Sequence, residues 1–379
     1  MKIILAGLIG QSGLGGQAWS DMQYLAGFRE LGHGVYYVED CGATRIPVYN
    51  WNTEEFTDEL DPPAAFIHSC LEPLELGDNW IYRAGDETRG MRVDDFRQAC
   101  IEADLLIMRA VPIYWREEYS RPRRRAFIDV DPGFTQVTLA EGNAEQIAGV
   151  SRCERHFTVG QRIGFSDCPI PTAGFDWQPT LPPVALSSWP YAEKDDASHF
   201  TSIMTWRGFR DAEYKGVSYG QKDRQFPRYV DLPRQTTQPF RLAIMGVEPE
   251  VLTPYGWEVV PSWVISRTPR LYRDFIQDSR AEFGVPKHGY AATRSGWFSD
   301  RSVCYLASGR PVLVGDTGIG ECLTTGRGLL TFSDPAQALA GIDEINSDYS
   351  GHRRAARALA EESFAADKVL PAFLHAALD

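Results

Sequence analysis

The sequence predicts an α/β fold with two doubly wound domains, each built around a mostly parallel sheet. Short apolar runs alternate with amphipathic stretches in both halves of the 379-residue chain, and strands separated by helices are typical of βαβ units. A proline-rich stretch between the halves, "CPIPTAGFDWQPTLPPVALSSWPYAEK", shows little periodicity and predicts a linker, with or without one packed strand.

Each half repeats the same order of elements. In the first half the strand candidates are "KIILAGL", "GVYYVE", "DLLIMRA", "AFIDVD" and "HFTVG", with a helix over residues 17–32. In the second half they are "FTSIMTW", "FRLAIMG", "WEVVPS", "AEFGV", "PVLVGD" and "GLLTFS", with helices over 269–279, 299–308 and 335–346. The closing stretch has a helical pattern that we expect to be interrupted at Pro371. We place the first domain at 1–167, the hinge at 168–194 and the second domain at 195–360.

Composition narrows the class of protein. The formal net charge of -13 disfavours nucleic acid and anionic membranes as partners, because phosphates are bound mainly by Lys and Arg. No apolar run reaches the roughly 18 residues of a membrane-spanning helix, so we expect a cytoplasmic protein without a transmembrane segment. The seven cysteines are scattered and form no CxxC pair, which predicts free buried thiols.

The glycine-rich loop "GQSGLGGQAW" follows the first strand directly and precedes a helix. From Gly13 onward, "GLGGQA" satisfies the dinucleotide fingerprint G-x-G-x-x-G/A, and Glu39 ends the next strand about where a ribose-binding acid belongs. However, "IGQS" separates the strand from the first glycine. A longer glycine loop at a helix N-terminus is better suited to a phosphate that approaches from outside, and a plain turn is the third interpretation.

A second pattern lies in "RSGWFSDRSVCYLASGRPVLVGDTGIGE". We expect Ser299 to cap a short helix, Gly309 to end it and Pro311 to precede a strand. The residues after that strand, Asp316, Thr317 and Gly318, would then lie at its carboxyl end, where open α/β sheets bind ligands.

This stretch, from about residue 295 to 332, resembles the donor-binding segment of the group 1, retaining-type glycosyltransferases of the GT-B fold. The resemblance implies two Rossmann-like domains that face a cleft, a nucleoside-diphosphate sugar as donor, no further cofactor, and a final helix over 361–379 that returns to the first domain. It also implies that Arg207 and Lys222, with Lys215 as a rival, bind the donor diphosphate. The loop residues Gly15 and Gly16 would approach the phosphates from the first domain.

One position departs from the family pattern. Where the family has a Glu that binds the ribose, this chain has Cys304, and a thiol cannot accept two strong hydroxyl hydrogen bonds. Asp300 lies one helical turn earlier and is our candidate for that role. Because of this departure UDP, GDP, dTDP and ADP all stay open as the nucleotide. The remaining donor-site candidates are Ser295, Gly296, Trp297, Asp316, Thr317 and Gly318.

The catalytic candidates lie in the first half. Asp129 and Asp131 in "FIDVDPG" fall at the end of a strand on the same face, and they are candidates for the acceptor site, although turn initiation and backbone capping explain them equally well. His156 near the hinge is a candidate base. No acidic cluster suggests a required metal, and the acceptor is an unknown small molecule or glycan.

Two other classes of function stay open at this point. An NAD(P)-dependent oxidoreductase would use the "GLGGQA" loop and Glu39. A non-catalytic binding protein of the same fold would explain the missing Glu. The basic run "RPRRR" at 121–125 suits a solvated loop or an anionic acceptor.

Overall fold

The computed structural model describes residues 1–43, 47–51, 53–193 and 196–379. In the first half the strands are β1 (Lys2–Ala6), β2 (Gly34–Asp40), β3 (Val48–Asn50), β4 (Glu55–Thr57), β5 (Trp80–Ala84), β6 (Glu87–Gly90), β7 (Leu105–Arg109), β8 (Arg124–Asp129), β9 (Arg155–Thr158) and β10 (Trp177–Pro179). In the second half they are β11 (Phe200–Thr205), β12 (Ala212–Tyr214), β13 (Val217–Tyr219), β14 (Phe240–Met245), β15 (Glu258–Pro261), β16 (Ala281–Gly284), β17 (Val312–Gly315) and β18 (Leu329–Phe332).

The helices pack on both faces of the sheets. Those that begin before residue 151 are α1 (Ile9–Ser12), α2 (Gly15–Glu30), α3 (Asp61–Leu71), α4 (Val93–Glu102), α5 (Phe134–Ala140) and α6 (Ala144–Val150). The others are α7 (Lys222–Gln225), α8 (Ser262–Ser266), α9 (Pro269–Gln277), α10 (His288–Ala292), α11 (Asp300–Ala307), α12 (Pro335–Ser347), α13 (Tyr349–Leu359) and α14 (Ala366–Leu378).

The two main sheets confirm the predicted fold class. The first sheet has the order β10-β9-β8-β7-β1-β2-β5-β6, and the second has the order β15-β14-β11-β16-β17-β18. Every neighbouring pair in them is parallel except β5 and β6. Ile3, Ile4 and Leu5 of β1 are fully buried, as expected for a parallel strand that is covered on both faces.

Strand order reverses beside β1 in the first sheet and beside β11 in the second. Chain order leads from β1 outward to β2 on one side and to β7 on the other, and β14 and β16 flank β11 in the same way. Such switch points open a crevice at the carboxyl ends of the strands, where ligands bind in doubly wound folds. Each domain therefore contributes one ligand-binding edge.

The last helix, α14, returns to the first domain, as the fold class predicts. It packs on α2, where Gly27 leaves space for the side chain of Leu370, and Phe373 contacts Phe157 of β9 at a ring-centroid distance of 4.5 Å. The expected break at Pro371 is wrong, because this proline lies inside α14. The chain instead bends at Ala365, whose backbone is extended between a π-helical turn and α14, and Val184 pairs with Phe364 and Ala366 there.

The segment predicted as a hinge contains β10, which extends the first sheet beside β9. The predicted boundary between residues 194 and 195 lies outside the described residues. All seven cysteines are free thiols, and Cys322 is exposed, which corrects the expectation that all are buried. Within the described ranges, no helix has the length and apolar character needed to cross a membrane.

The contact between α2 and α14 gives the first prediction. A Cβ atom on Gly27 would lie 2.5 Å from Leu370 Cδ1 and 2.6 Å from the Cβ of Ala366, so Gly27→Ala should destabilise the protein by about 1–3 kcal/mol, although Ala is the better helix former. Chemical denaturation measures this cost. In a background with Leu370→Ala and Ala366→Gly, which removes both contacting groups, the same substitution should cost less, and equal costs in both backgrounds would show that the two helices do not touch at this point.

Candidate functional site

The carboxyl edges of the two sheets face each other across a cleft with a cavity of about 430 Å³. From the first domain, the loop after β1, the end of β7 and the loop after β8 line the cleft; from the second domain, the end of β11 and the start of α11 line it. The cavity thus lies between the two switch points, as doubly wound domains predict. Its cationic side chains are Arg109, Lys222, Lys287 and Arg301, and its acidic side chains are Asp131 and Asp300.

Arg109 is the buried centre of the first-domain wall. It ends β7, is 4% exposed, and forms an ion pair of 2.7 Å with Asp21 of α2. Asp21 also accepts the backbone N–H of Leu8 at 2.9 Å, and Arg109 donates to the Ser20 hydroxyl. The next residue, Ala110, has φ of +70°, a conformation that side chains adopt at a cost and that often marks functional sites.

Asp300 joins the second domain to this cluster. It is the first residue of α11, where a carboxylate is favoured by the helix dipole. It accepts the Ser20 hydroxyl and lies 3.9 Å from an Arg109 nitrogen. Ser299 is at the predicted N-cap position, but its side chain does not cap the helix. The carboxylate proposed to bind a ribose therefore contacts the opposite domain in this structure.

Cys304, at the position of the missing Glu, does not line the cleft. Its thiol is buried and accepts a long hydrogen bond of 3.6 Å from the Gln23 amide of α2. Burial raises the pKa of Cys304 well above its ordinary value. A neutral, covered thiol of this kind serves packing between the domains and has no free hydrogen-bonding capacity for a sugar hydroxyl.

Lys222 is the one cationic side chain of the cleft that forms no ion pair with a carboxylate among the described residues. Only 6% of the surface of Lys222 is exposed. This burial, together with the nearby charges of Arg301 and Lys287, lowers the pKa of Lys222 well below its ordinary value. In contrast, Arg301 bonds Glu282 at 2.7 Å and the carbonyl of Ile203 at 2.8 Å. Lys222 is thus the cation whose burial a bound anion would offset.

The start of α2 lies on the same cleft. No side chain caps this helix, so its first N–H groups lack an intrahelical partner and form a positively polarised end. A Cβ atom on Gly15 would lie 2.4 Å from the Thr268 carbonyl oxygen, and one on Gly16 would lie 2.9 Å from the Tyr272 ring. Glycine at both positions therefore lets the loop approach the second domain closely.

The opening loop differs from a dinucleotide fingerprint. The four-residue helix α1 separates β1 from Gly13. Glu39 is fully buried, accepts the N–H groups of Gly10 and Gln11 at 2.6 Å and 3.0 Å, and bonds the Tyr37 hydroxyl at 2.5 Å. Burial raises the pKa of Glu39 to about 7. Because its oxygens are taken up by these contacts, Glu39 is not placed to bind a ribose.

The two predicted aspartates occupy different environments. Asp131 lines the cleft, accepts the Lys287 ammonium at 2.5 Å and accepts the Tyr290 hydroxyl. Although burial opposes ionisation, Lys287 and Tyr290 hold the pKa of Asp131 below its ordinary value. Asp129 is fully buried beneath the cleft, accepts Gln136 at 2.8 Å and Thr158 at 2.7 Å, and has a pKa raised by burial.

Several predicted residues lie away from the cavity. His156 packs against Phe175 and Trp177 and bonds the Val150 carbonyl oxygen at 3.1 Å. Arg207 is half exposed and pairs with Asp223 at 3.0 Å and with Asp211. Neither side chain is part of the cleft lining.

The 295–299 loop lies between the cleft and the 316–318 turn. Trp297 lines the cleft and stacks on Tyr290 at a centroid distance of 4.4 Å. Behind it, Ser295 is buried, Gly296 donates to the Thr317 carbonyl oxygen at 2.7 Å, and the Thr317 hydroxyl donates to the Trp297 carbonyl oxygen at 2.6 Å.

The turn itself packs on the first domain. Asp316 accepts the N–H of Gly318 at 2.8 Å and lies 3.4 Å from Arg294. A Cβ atom on Gly318 would lie 2.9 Å from the side chain of Arg162. These residues support the loop that lines the cleft but do not line the main cavity themselves. Within the described part of the chain, no group of three or more His, Cys, Asp or Glu side chains is placed to bind a metal ion.

Several cleft residues were not identified from the sequence. A charged residue at the end of a fully apolar strand, as in "LLIMR", was the available signal for Arg109. Lys287 and Tyr290 form their contacts with Asp131 across 156 and 159 residues of chain, and no local pattern indicates such pairing.

Known proteins resemble this chain in fold. No protein-family model matches it, and a search of the curated proteins found no match. An α-glucosyltransferase in complex with UDP and a 13-mer DNA is similar over 100% of both chains, with a TM-score of 0.60 and 12% identity. Anabaena Alr3699/HepE in complex with UDP and glucose covers 99% of this chain and 98% of its own, with a TM-score of 0.56 and 13% identity.

Sucrose-phosphate synthase from Thermosynechococcus elongatus is similar over 99% of this chain and 98% of its own, with a TM-score of 0.53 and 12% identity. At these identities the likeness defines the fold. The chain thus has the GT-B architecture of two Rossmann-like domains around a cleft, which the sequence resemblance implied.

The buried ion pair of Arg109 gives the second prediction. Arg109→Met leaves the Asp21 carboxylate, which has no exposed surface, without its cationic partner, so the free energy of unfolding should fall by about 3–5 kcal/mol. Arg207→Met is the matched control: it breaks exposed ion pairs and should cost less than about 1 kcal/mol. Urea denaturation of both variants measures the difference, and equal costs would contradict the central position of Arg109.

Proposed function

We propose that this protein is a glycosyltransferase that moves a sugar from a nucleoside-diphosphate sugar to a hydroxyl group of an acceptor. The observation that supports this most directly is Lys222, a buried lysine that forms no ion pair with a carboxylate among the described residues, in a cleft between two doubly wound domains. A diphosphate supplies the missing negative charge. When the glycosidic bond breaks, charge develops on that diphosphate, and a fixed cation stabilises it.

The other side of the cleft supplies a second site for the same anion. The uncapped start of α2, with Gly15 and Gly16, presents backbone N–H groups and a positive helix end. In this proposal Lys222 and α2 bind the diphosphate from opposite domains. Arg301, whose charge Glu282 balances, forms part of the cleft wall between Lys222 and α2. Asp300 binds the ribose after the donor replaces its hydrogen bond to Ser20.

Asp131 is our candidate for contact with the acceptor hydroxyl, and Asp129 positions the strand end beneath it through its bond to the Asp131 N–H. Inverting transfer requires a base with a pKa near the working pH. The Asp131 carboxylate is a weak base, because Lys287 lowers its pKa. This favours retention of configuration and, with the "LASGRPV" segment, a place among the group 1 enzymes. Closure about the 168–194 hinge would gate the site.

The hydrogen bonds of Glu39 weigh against an NAD(P)-dependent oxidoreductase, because its carboxylate already accepts the N–H groups of Gly10 and Gln11 in α1. A non-catalytic binding protein is distinguished by assay: it would bind a nucleotide sugar without transferring or hydrolysing it.

Removal of the Lys222 charge tests the proposal. Lys222→Met should weaken UDP binding by about 10- to 100-fold, because hydrogen bonds to charged groups contribute about 1.5–3 kcal/mol. Isothermal titration calorimetry measures the affinity, starting with UDP because it is bound in the similar α-glucosyltransferase and HepE structures, and continuing with GDP, dTDP and ADP.

Lys215→Met is the matched control. This lysine lies in the turn between β12 and β13, outside the cleft lining, so the same substitution should leave the affinity unchanged. If Lys215→Met lost binding while Lys222→Met kept it, the diphosphate site would lie at the hairpin. If none of the four nucleotides bound the wild-type protein, the transferase proposal itself would fall.

The lowered pKa of Lys222 predicts that binding takes up a proton. In the free protein burial favours the neutral amine, whereas a bound diphosphate favours the ammonium. The affinity for UDP should therefore decrease as pH rises above the pKa of the free protein. Calorimetry over a range of pH above about 7, where a terminal phosphate is ionised, in buffers of different ionisation enthalpy should report net proton uptake on UDP binding. In Lys222→Met this proton uptake should disappear. An unchanged proton count would show that a group other than Lys222 takes up the proton.

A further inference from the structure

A second cavity lies beside the glycine loop, in the first domain alone. It measures about 220 Å³ and lies between the β3–β4 hairpin, the start of α1 and α3. Three aromatic side chains, Tyr49, Trp51 and Phe66, form much of its lining, and none of the lining residues is charged. Cavities with aromatic walls and a few polar groups are typical of sites for small neutral molecules.

The glycine loop is the wall between this cavity and the main cleft. Ser12 and Leu14 line the cleft, whereas Gly10 and Gly13 line the aromatic cavity. The Trp51 indole donates to the Gly13 carbonyl oxygen at 3.0 Å, which ties the hairpin to the loop. A molecule in the aromatic cavity is thus separated by one short stretch of chain from the place where the diphosphate is proposed to bind.

Trp51 also contacts the second domain. Its ring stacks on Trp263 of α8 at 6.1 Å and 22°, and its carbonyl oxygen accepts Arg267 at 3.3 Å. Trp263 is 44% exposed, and Phe56, which packs edge-on against Tyr49, is 73% exposed. The aromatic surface therefore continues from the cavity to the mouth of the cleft, where both domains meet.

Charge near the cavity argues against a phosphate-rich occupant. Residues 53–61, "TEEFTDELD", contain five acidic residues and no Lys or Arg. Two arginines lie near them: Arg89 pairs with Asp61, and Arg267 lies over the Trp51 ring at 5.5 Å, so acidic residues outnumber basic ones around the cavity. The basic run at 121–125 lies at the start of β8, which begins at Arg124, while Asp131 and the cleft follow the other end of the strand. At about 3.3 Å per residue, a six-residue strand separates the two by roughly 20 Å. The basic run is therefore on the wrong edge of the sheet to bind an anionic acceptor in the cleft.

We infer that the aromatic cavity binds a sugar ring of the acceptor remote from the hydroxyl that Asp131 contacts in the main cleft, and that the acceptor is an uncharged saccharide, unlike the DNA in the complex of the similar α-glucosyltransferase. Its ring would stack on Tyr49 and Trp51, since the apolar face of a sugar ring matches an aromatic wall and its hydroxyl edge matches the polar Ser69. The role as acceptor rests on the transferase proposed above, whereas saccharide binding at this cavity stands without it.

The test fills the cavity and leaves its walls in place. Ala65 is exposed on α3 and lines the cavity, so Ala65→Trp should block it without loss of core packing. Ala148→Trp, at an exposed position of α6 away from both cavities, is the matched control. Trp51→Ala is a second variant that removes a stacking face, and thermal denaturation confirms that each variant is folded.

Saturation-transfer NMR with maltose, cellobiose, lactose and diacetylchitobiose measures saccharide binding, a 13-bp DNA duplex is the competing probe, and calorimetry measures UDP binding separately. At least one of the sugars should bind the wild type and Ala148→Trp, and bind Ala65→Trp and Trp51→Ala about tenfold more weakly, with UDP affinity unchanged in Ala65→Trp and Ala148→Trp.

Binding of the duplex in preference to every sugar, absence of binding by all four sugars, or equal sugar binding in wild type and Ala65→Trp would overturn the inference. If a sugar binds in the cavity and no nucleotide binds, saccharide binding is supported and the transferase proposal fails. If UDP binds and no sugar does, nucleotide binding is supported and the inference of saccharide binding at the aromatic cavity fails.

Discussion

The main cleft is organised around a buried lysine, Lys222, whose charged form has no ion-pair partner among the described residues. Arg109, Lys287 and Arg301 each have a carboxylate partner within the protein, namely Asp21, Asp131 and Glu282. Lys222 has none, and burial shifts the pKa of its ammonium downward. An isolated charge in such a place is costly unless a ligand neutralises it. The proposed donor site follows from this one imbalance, with the uncapped start of α2 as its counterpart across the cleft.

The fold explains why these groups meet. Both domains place their strand-order reversal beside the strand that begins the domain, β1 or β11, and the two crevices face each other. Close packing then fixes the distance between the two domains. The second domain packs directly on the glycine loop at Gly15 and Gly16, and Asp300 contacts Ser20 across the interface. A ligand that replaced the Ser20 contact would alter the interface itself, so donor binding and domain closure are expected to be coupled.

Much of the fold could be predicted from the sequence, because parallel strands are continuous apolar runs and their helices have a separate period. The predicted strands at "KIILAGL", "DLLIMRA" and "PVLVGD" correspond to β1, β7 and β17. Short elements such as α1 and the β3–β4 hairpin were missed, since four or three residues show no period. Pro371 was misjudged, because α14 accommodates a proline that a local rule treats as a break.

The site was less accessible to the same reasoning. Lys222 and Asp300, which the family resemblance implied, line one cavity with the predicted Asp131 and Trp297, whereas Arg207, His156 and Asp316 lie outside it. The difference arises because spacing along the chain does not specify where a side chain points once exposed ion pairs, such as those of Arg207 with Asp211 and Asp223, compete for it. Arg109 and Lys287 depend on partners far away in sequence, which a single sequence does not reveal.

A crystal structure of the protein with UDP would test the central claim most directly. The account predicts that a phosphate oxygen lies within hydrogen-bond distance of Lys222 Nζ and that the diphosphate faces the backbone N–H groups at the start of α2. A diphosphate bound instead at Arg207 or at the 316–318 turn, with Lys222 still unpartnered, would contradict it.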